Sequence, residues 1–169
     1  MLKRDYILRL IREFAEALEL VMKKDVSKQR DEIRLMYDQY VGPYSLYHIC
    51  TMDEVMDSFE RFPPEERAER MEMLAELYYA EAGLMAGIGG DELLQRAFAL
   101  FDFIDRHDKT FSIARRTKMA DIQKRLEQAA AGAAACQRRG HRRNAKRHPR
   151  PAVRCPNADA QQHGQRASR

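Results

Sequence analysis

Carboxylates crowd one stretch of this chain, and carboxylates paired on helices can bind metal ions or move protons in catalysis. Five glutamates fall within a dozen positions: Glu65, Glu66, Glu69, Glu72 and Glu76. Dinuclear metal sites built on helices also require a Glu-x-x-His pair, and the sequence contains none. The spacing therefore predicts no metal site in this stretch.

Other reactive residue types are present without the partners that their chemistry needs. The glycine-rich run 83–90 lacks the Lys-Ser or Lys-Thr of a phosphate loop, and no predicted strand precedes it. His48 and His107 have no acidic or nucleophilic residue at motif spacing, and Cys50 is expected to behave as a small buried hydrophobic residue. We therefore predict no catalytic residue, no cofactor and no metal, in a protein that is not an enzyme.

Cysteine and histidine recur near the C-terminus, and these residue types bind zinc. The residues concerned are Cys136, His141, His148 and Cys155. Their gaps of four, six and six residues fit no zinc-finger pattern, and no apolar core surrounds them. Three cysteines in the whole chain are also too few for a disulfide framework, so we expect a reducing, cytoplasmic location.

Charge and apolar content divide the chain into two unlike parts. Residues 1–128 hold 20 Lys and Arg against 25 Asp and Glu, a net charge of −5, whereas residues 129–169 hold 10 basic residues and one acid, a net charge of +9. The second part also contains no Leu, Ile, Met, Phe, Tyr or Trp, so little apolar burial could offset the entropy lost on folding. The sequence predicts a folded domain over 1–128 and a basic, disordered tail over 129–169, with the alanines of 129–135 extending the last helix by a turn or two.

Two interpretations of this tail stay open beside the zinc site. As an Arg-rich arm, it would neutralise phosphates and bind nucleic acid weakly and non-specifically, because it has no aromatic residues to stack on bases. Alternatively, its bias toward Ala, Arg, Gly, Pro and His is typical of a GC-rich gene translated out of frame from near residue 129. The coding DNA tests the second interpretation, which requires a shifted frame that continues the helical sequence of 110–128.

The elements that must position all these groups are predicted to be helices. Proline and glycine are sparse before residue 128, and no alternation of apolar and polar residues is long enough to require a strand. The first helix is predicted from about Lys3 to Lys24, and core packing of its apolar stripe is favoured over docking on a membrane or a partner. That stripe consists of Ile7, Leu10, Ile11, Phe14, Leu18, Val21 and Met22.

Two shorter helices are expected next. Ser27 is predicted to cap a helix that runs through Tyr40 and is ended by Gly42 and Pro43. Thr51 begins a capping-box pattern with Glu54 ahead of a brief helix. Tyrosines crowd the region between them and can line a groove, but packing in the core beside helix ends is favoured. They are Tyr37, Tyr40, Tyr44 and Tyr47.

The stretch from Pro64 to His107 is predicted to be a helical hairpin on which the other helices pack. Pro64 suits a first helical turn, glycines 87–90 break the helix, and Asp91 is expected to cap the second helix. The second helix carries apolar residues on more than one stripe, so we expect it at the centre of the core. A last helix is predicted from about Thr110 to Gln128, with a solvated basic face. That face carries Arg115, Arg116, Lys118, Lys124 and Arg125.

The central hairpin resembles a tetratricopeptide repeat (TPR) at four positions. Tyr79, Gly83, Ala97 and Phe101 fall where that family places its first aromatic residue, its glycine, its helix-B alanine and its following aromatic residue. In such a repeat, Gly83 and Ala97 would let two antiparallel helices approach closely. The opening residues 1–7 and the segment 109–112 also resemble a family of short, uncharacterised bacterial all-helical proteins that carry one such hairpin, over residues 1 to about 128.

Taken together, these features predict an all-α domain of five to seven antiparallel helices with one TPR-like hairpin. The resemblances imply the fold more than the function. The favoured function is a non-catalytic interaction module that holds a protein or peptide partner in a groove, with self-association as one form of it. The alternative is a nucleic-acid-associated protein that works through the tail. No apolar run approaches the ~20 residues that span a bilayer, so no membrane contact is expected.

Overall fold

The structure, a computed structural model, describes residues 2–108 and 111–147, with side chains described in 5–108 and 111–134. Seven α-helices follow one another in these ranges, and no strand occurs among the described residues, which confirms the all-α prediction. A π-helical turn (Tyr37–Val41) follows the second helix, and a 3-10 turn (Phe59–Arg61) follows the fourth. The helices are α1 (Leu2–Met22), α2 (Val26–Met36), α3 (Tyr44–Ile49), α4 (Met52–Ser58), α5 (Pro64–Ala82), α6 (Ile88–His107) and α7 (Ile113–Arg147).

The connection between α1 and α2 is stabilised by a buried glutamine. The side-chain amide of Gln29 donates to the carbonyl oxygens of Met22 (3.0 Å) and Lys24 (2.7 Å). These carbonyls follow the last intrahelical bonds of α1 and would otherwise lack donors. The N-cap residue of α2 is Asp25, not the predicted Ser27, and its side chain makes no capping bond. The connection is as short as predicted but lies two residues earlier in the chain, and Gln29 closes it.

Two predicted helix starts are confirmed. The Thr51 backbone N–H donates to Glu54 Oε2 (2.8 Å), and the Glu54 N–H donates to Thr51 Oγ1 (3.4 Å), which together complete the capping box of α4. Helix α5 begins at Pro64, where the absent N–H of proline leaves no hydrogen bond unmade. Local chemistry decides both starts, and for this reason the sequence alone predicts them.

The predicted start of α6 at Asp91 is wrong. Its N-cap residue is Gly87, whose φ of 76° lies in the left-handed region that glycine reaches without steric cost. Gly90 belongs to the first turn of α6, and a Cβ there would lie 3.0 Å from the Met85 carbonyl oxygen. The close backbone approach in this hairpin therefore lies at Gly90. Gly83, which was expected to provide it, is exposed at the end of α5.

Helix α5, and not α6 as predicted, lies at the centre of the core. Ten of its 19 residues are buried, over a wider face than that of α6, which buries a single face and leaves Phe103 exposed. Ala97 and Phe101 lie on the buried face of α6 and are fully inaccessible to solvent. A hydrophobic pattern reports how apolar a helix is, but the number of neighbours that cover it depends on the tertiary packing.

Helix α7 continues to Arg147, well past the one or two turns expected after Gln128. Alanine and arginine are both strong helix formers, which accounts for the extension. The chain divides into a compact unit, Met1–Gly132, and a second unit, Ala133–Arg169. For residues 148–169 the predicted disorder lies outside the described residues.

The direction of α7 follows from its contacts with α5. Ion pairs join Glu72 to Arg115 and Glu76 to Lys118. Residue numbers rise together along both helices, so α5 and α7 are parallel. None of the helices in the described part of the chain combines the length and apolarity that crossing a membrane would require.

Candidate functional site

A buried carboxylate on α5 is surrounded by hydrogen-bond partners from the π-helical turn and from α3. Glu81 accepts hydrogen bonds from the hydroxyls of Tyr37 (2.8 Å) and Tyr44 (2.7 Å). Its Oε2 atom also lies 2.9 Å from His48 Nε2. The ring of His48 stacks on that of Tyr44, with the ring centroids 3.8 Å apart. We call Tyr37, Tyr44, His48 and Glu81 the tyrosine–glutamate cluster.

The electrostatics of this cluster favour an ionised carboxylate. Burial alone would raise the pKa of the Glu81 carboxyl, but the three hydrogen bonds outweigh it and the pKa is lowered. Burial and the bond to Glu81 raise the pKa of the Tyr37 and Tyr44 hydroxyls, which therefore stay protonated as donors. His48 Nδ1 lies 3.0 Å from the Tyr44 carbonyl oxygen, so both ring nitrogens face acceptors.

The cluster therefore joins α3 and the π-helical turn to α5, and its polar groups find their partners within it. The preference for core packing over a groove is confirmed for Tyr37, Tyr40 and Tyr47, which are buried, while Tyr44 is partly buried. Motif spacing could not reveal the acidic partner of His48, because Glu81 is 33 positions away. The one available signal was a glutamate on the apolar side of α5.

Two arginines stabilise the end of the π-helical turn. Arg61 donates to the Val41 carbonyl oxygen (2.5 Å) and to the Tyr47 hydroxyl (2.6 Å). Arg70, which is buried, donates to the Tyr40 carbonyl oxygen. The carbonyls at a helix C-terminus lack intrahelical donors, so cations are favourable there. Arg61 and Arg70 therefore stabilise the fold.

The predicted solvated face of α7 is wrong for Arg115. Its side chain is only 2% exposed, and Nη2 lies 3.2 Å from Glu72 Oε2. Its Nη1 lies 3.9 Å from Asp105 on α6. Lys118 is also partly buried, against Glu76. The helix pattern marks these residues as charged, but only the fold shows that α5 supplies the carboxylates that bring them inside.

An apolar groove lies beside α5, between α1 and α7. Its main part has a volume of about 500 Å³, and a second cavity of about 240 Å³ shares four of its residues and continues it toward Gly83. The residues that line the apolar groove are Ile11, Phe14, Ala15, Leu18, Glu19, Met22, Glu69, Glu72, Met73, Glu76, Tyr79, Ala80, Gly83, Lys118 and Arg125.

The spacing of these residues has the period of helix–helix packing. On α1, four of the five apolar members recur at alternating intervals of four and three: Ile11, Ala15, Leu18 and Met22. The groove residues of α5 and its C-cap have the same spacing: Glu69, Met73, Glu76, Ala80 and Gly83. Such a row faces one side of a helix and accepts the ridge of another helix. The α1 residues were predicted to pack in the core, and Phe14, Ile11 and Leu18 do so, but periodicity cannot show that the same stripe also borders an open groove.

Three of the five crowded glutamates of α5 form ion pairs. Glu66 pairs with Arg70 at 3.2 Å, and Glu72 and Glu76 pair with residues of α7 as described above. Among the residues whose side chains are described, no group of three His, Cys, Asp or Glu side chains is arranged to hold a metal ion. The alternative zinc site falls outside those side chains.

The remaining candidates lie apart from one another. Cys50 is a free, partly buried cysteine that packs against the core. His107 stacks on Phe103 at the end of α6, with ring centroids 4.2 Å apart. The structure therefore brings together His48 with Glu81, and α1 with α5 and α7 around the groove. It does not bring Cys50 or His107 to either place.

Tyr79 and Gly83 border the groove, whereas Ala97 and Phe101 lie in the core behind it. The four residues of the tetratricopeptide resemblance thus serve two different parts of the molecule. Comparison with known proteins gives no match to a family model, to a curated protein or to a solved structure.

Proposed function

We propose that this protein is a non-catalytic interaction module that holds an amphipathic helix of a partner protein in the apolar groove. The observation that carries this proposal is the alternating four-and-three spacing of groove residues on both α1 and α5. Amphipathic helices dock into grooves through anchors at this spacing. As part of the same proposal, the α5–α6 hairpin is a tetratricopeptide-like helical hairpin.

The length of the groove sets the length of the partner segment. From Glu69 to Gly83, helix α5 extends about 21 Å at 1.5 Å per residue. A partner helix of about four turns would cover that distance. Its apolar side would contact Leu18 and Met73, and its outer side would stay in water.

The walls of the groove are held in place before any partner binds. Ile7, Phe14 and Val21 anchor α1 in the core, and the ion pairs of Arg115 and Lys118 hold α7 against α5. A site whose walls are already ordered loses less conformational entropy on binding than one that must fold around its partner. This favours a stable docking surface over a loose apolar patch.

The test uses the full chain, immobilised, and a phage-displayed library of randomised 18-residue helical peptides. We expect enrichment of peptides whose apolar residues recur at three- and four-residue intervals. Ala15 is an exposed alanine that lines the groove, so the substitution Ala15→Arg would fill the site from its rim. Affinity of the enriched peptides for this variant should fall by about tenfold or more, since a buried apolar contact is lost.

The control applies the same substitution to an exposed alanine outside the groove. Ala99→Arg, on α6, should leave peptide affinity unchanged. The proposal fails if no helical peptide is enriched, or if the enriched peptides bind the Ala15→Arg variant as well as the native chain. Size-exclusion chromatography over a range of protein concentrations would show whether a second copy of this chain occupies the groove instead.

A second candidate rests on the net charge of +9 carried by residues 129–169. As the alternative, we propose that this segment binds nucleic acid non-specifically. Replacing Arg138, Arg139, Arg142 and Arg143 with Gln should then weaken the shift of a DNA duplex in a gel at low salt, and should flatten the salt dependence of binding. Unchanged DNA binding by that variant would exclude this candidate.

A further inference from the structure

One carboxylate in the groove has surroundings unlike those of its neighbours. Glu69 lies at the end of the groove near the start of α5 and is only partly exposed. Burial raises the pKa of its carboxyl, a hydrogen bond from its own backbone N–H offsets part of that increase, and the negative charges of Asp108, Glu72 and Glu66 raise the pKa again. The ionised form of Glu69 is therefore unfavourable in the protein by itself.

The glutamates around Glu69 each have a cation. Glu66 is bound by Arg70, Glu72 by Arg115 and Glu76 by Lys118. Within the residues that the structure describes, the ion pairs leave Glu69 without one. A carboxylate withdrawn from water among other carboxylates is stabilised when a cation is brought to it.

We infer that the helix bound in the groove carries a Lys or Arg that pairs with Glu69. The inference rests on the proposed function and specifies the partner, which has an apolar stripe with a basic residue at one end. Apolar contacts along the groove would bury that end of the partner beside Glu69. The cation would thereby supply the one charge that the site lacks.

The other end of the groove distinguishes this partner from a uniformly basic helix. Lys118 and Arg125 border the groove near Gly83. Lys118 is paired with Glu76 and Arg125 with Asp121, so a basic residue of the partner at that end would find carboxylates that already have cations, whereas one at the opposite end would meet Glu69. Charge complementarity of this kind fixes the register and direction of a bound segment. The partner's basic residue therefore belongs at one end of its apolar stripe only.

The experiment repeats the peptide selection on three full-length proteins: the native chain, Glu69→Gln and Glu92→Gln. Glu92 is an exposed glutamate of α6 and provides the matched control. On the native chain and on Glu92→Gln, we expect enriched peptides to carry Lys or Arg at one end of the apolar stripe. On Glu69→Gln that preference should disappear. Circular dichroism spectra would verify that all three proteins are folded.

A direct titration follows, using the most enriched basic peptide labelled with fluorescein. Its affinity should fall about fivefold to tenfold on Glu69→Gln and stay unchanged on Glu92→Gln, as expected for one partly buried ion pair. Apolar helical peptides enriched without a basic end would overturn this inference and leave the proposed function standing. A basic preference that persists on Glu69→Gln would also overturn it. Failure to enrich any helical peptide would overturn both.

Discussion

Glu69 and Glu81 lie on the same helix and are both withdrawn from solvent, yet their carboxyl pKa values shift in opposite directions. Burial raises the pKa of Glu69, where the nearby charges are other carboxylates. At Glu81 burial acts the same way, but three hydrogen-bond donors reverse it. The difference shows that the charges and donors around a buried carboxyl set the direction in which its pKa shifts.

The two regions that contain these glutamates differ in the same sense. The tyrosine–glutamate cluster is closed: its donors and acceptors satisfy one another, and Tyr37 has no exposed surface. The apolar groove is open and has an unpaired carboxylate at one end. A closed polar network stabilises and specifies a fold, whereas an open apolar surface with an unsatisfied charge suits a binding partner. The following variants test this contrast.

The largest loss of stability is expected when the carboxylate of the tyrosine–glutamate cluster is removed. Glu81→Ala leaves two buried tyrosine hydroxyls and His48 without their acceptor, so the free energy of unfolding should fall by about 3–5 kcal/mol. Urea unfolding followed by circular dichroism measures it. Glu92→Ala, at an exposed site, should change stability by no more than about 0.5 kcal/mol. A similar small change for Glu81→Ala would show that the cluster does not hold the fold.

A smaller loss of stability is expected when the buried ion pair between Arg115 and Glu72 is removed. Arg115→Met keeps an apolar stem but leaves Glu72 without its cation, so the free energy of unfolding should fall by about 2 kcal/mol. Its neighbour Arg116 is exposed and pairs with Asp105, so Arg116→Met should lower stability by less than about 1 kcal/mol. Equal losses in the two variants would contradict the burial of Arg115.

The contribution of Glu81 should depend on pH with a defined sign. Because its pKa is lowered in the folded state, its stabilisation is present above the ordinary value of 4.5 and is lost as pH falls through the lowered value. The difference in Tm between the native chain and Glu81→Gln should therefore be constant from about pH 6 upward and should narrow below pH 4.5. Thermal unfolding at a series of pH values measures it. A gap that widens on acidification would be the opposite of this expectation.

The smallest effect, of opposite sign, is expected at the groove. Because the pKa of Glu69 is raised, its contribution to stability is greatest below 4.5 and is lost as pH rises through the raised value. Glu69→Gln should therefore increase Tm slightly at pH 7, and the increase should vanish below pH 4.5. A decrease in Tm at pH 7 would indicate that Glu69 stabilises the fold, and would remove the contrast with Glu81.

Helix starts were predictable wherever neighbouring residues decide them. The Thr51–Glu54 capping box and the start of α5 at Pro64 both depend on hydrogen bonds within a few positions. The start of α6 was not predictable in this way. Gly87, with its left-handed backbone, is the N-cap residue in place of Asp91. The sequence predicted a break across glycines 87–90, whereas α6 begins inside that run.

The candidate site was less predictable than the fold. The predicted core packing of the apolar stripe of α1 is confirmed for Phe14 and Val21, but the sequence did not show that the same helix also borders an open groove. The basic face of α7 was predicted to be solvated, which is wrong for Arg115. Arg115 is buried because Glu72 and Asp105, far away in the chain, converge on it. Leu18 lines a groove because no described helix covers that side of α1. Neither outcome is encoded within a window of adjacent residues.

By itself, the sequence determined that the chain is helical, where several helices begin and which residues are apolar, because propensity, capping and periodicity act over a few residues. Tertiary structure alone decided that α5 is central, that Glu81 lies among tyrosines and that α1, α5 and α7 leave a groove between them. Those outcomes depend on the contacts that distant segments make when the chain closes on itself. The chemistry of Glu69 and Glu81 diverges for the same reason, since each side chain has the pKa that its neighbours in space allow.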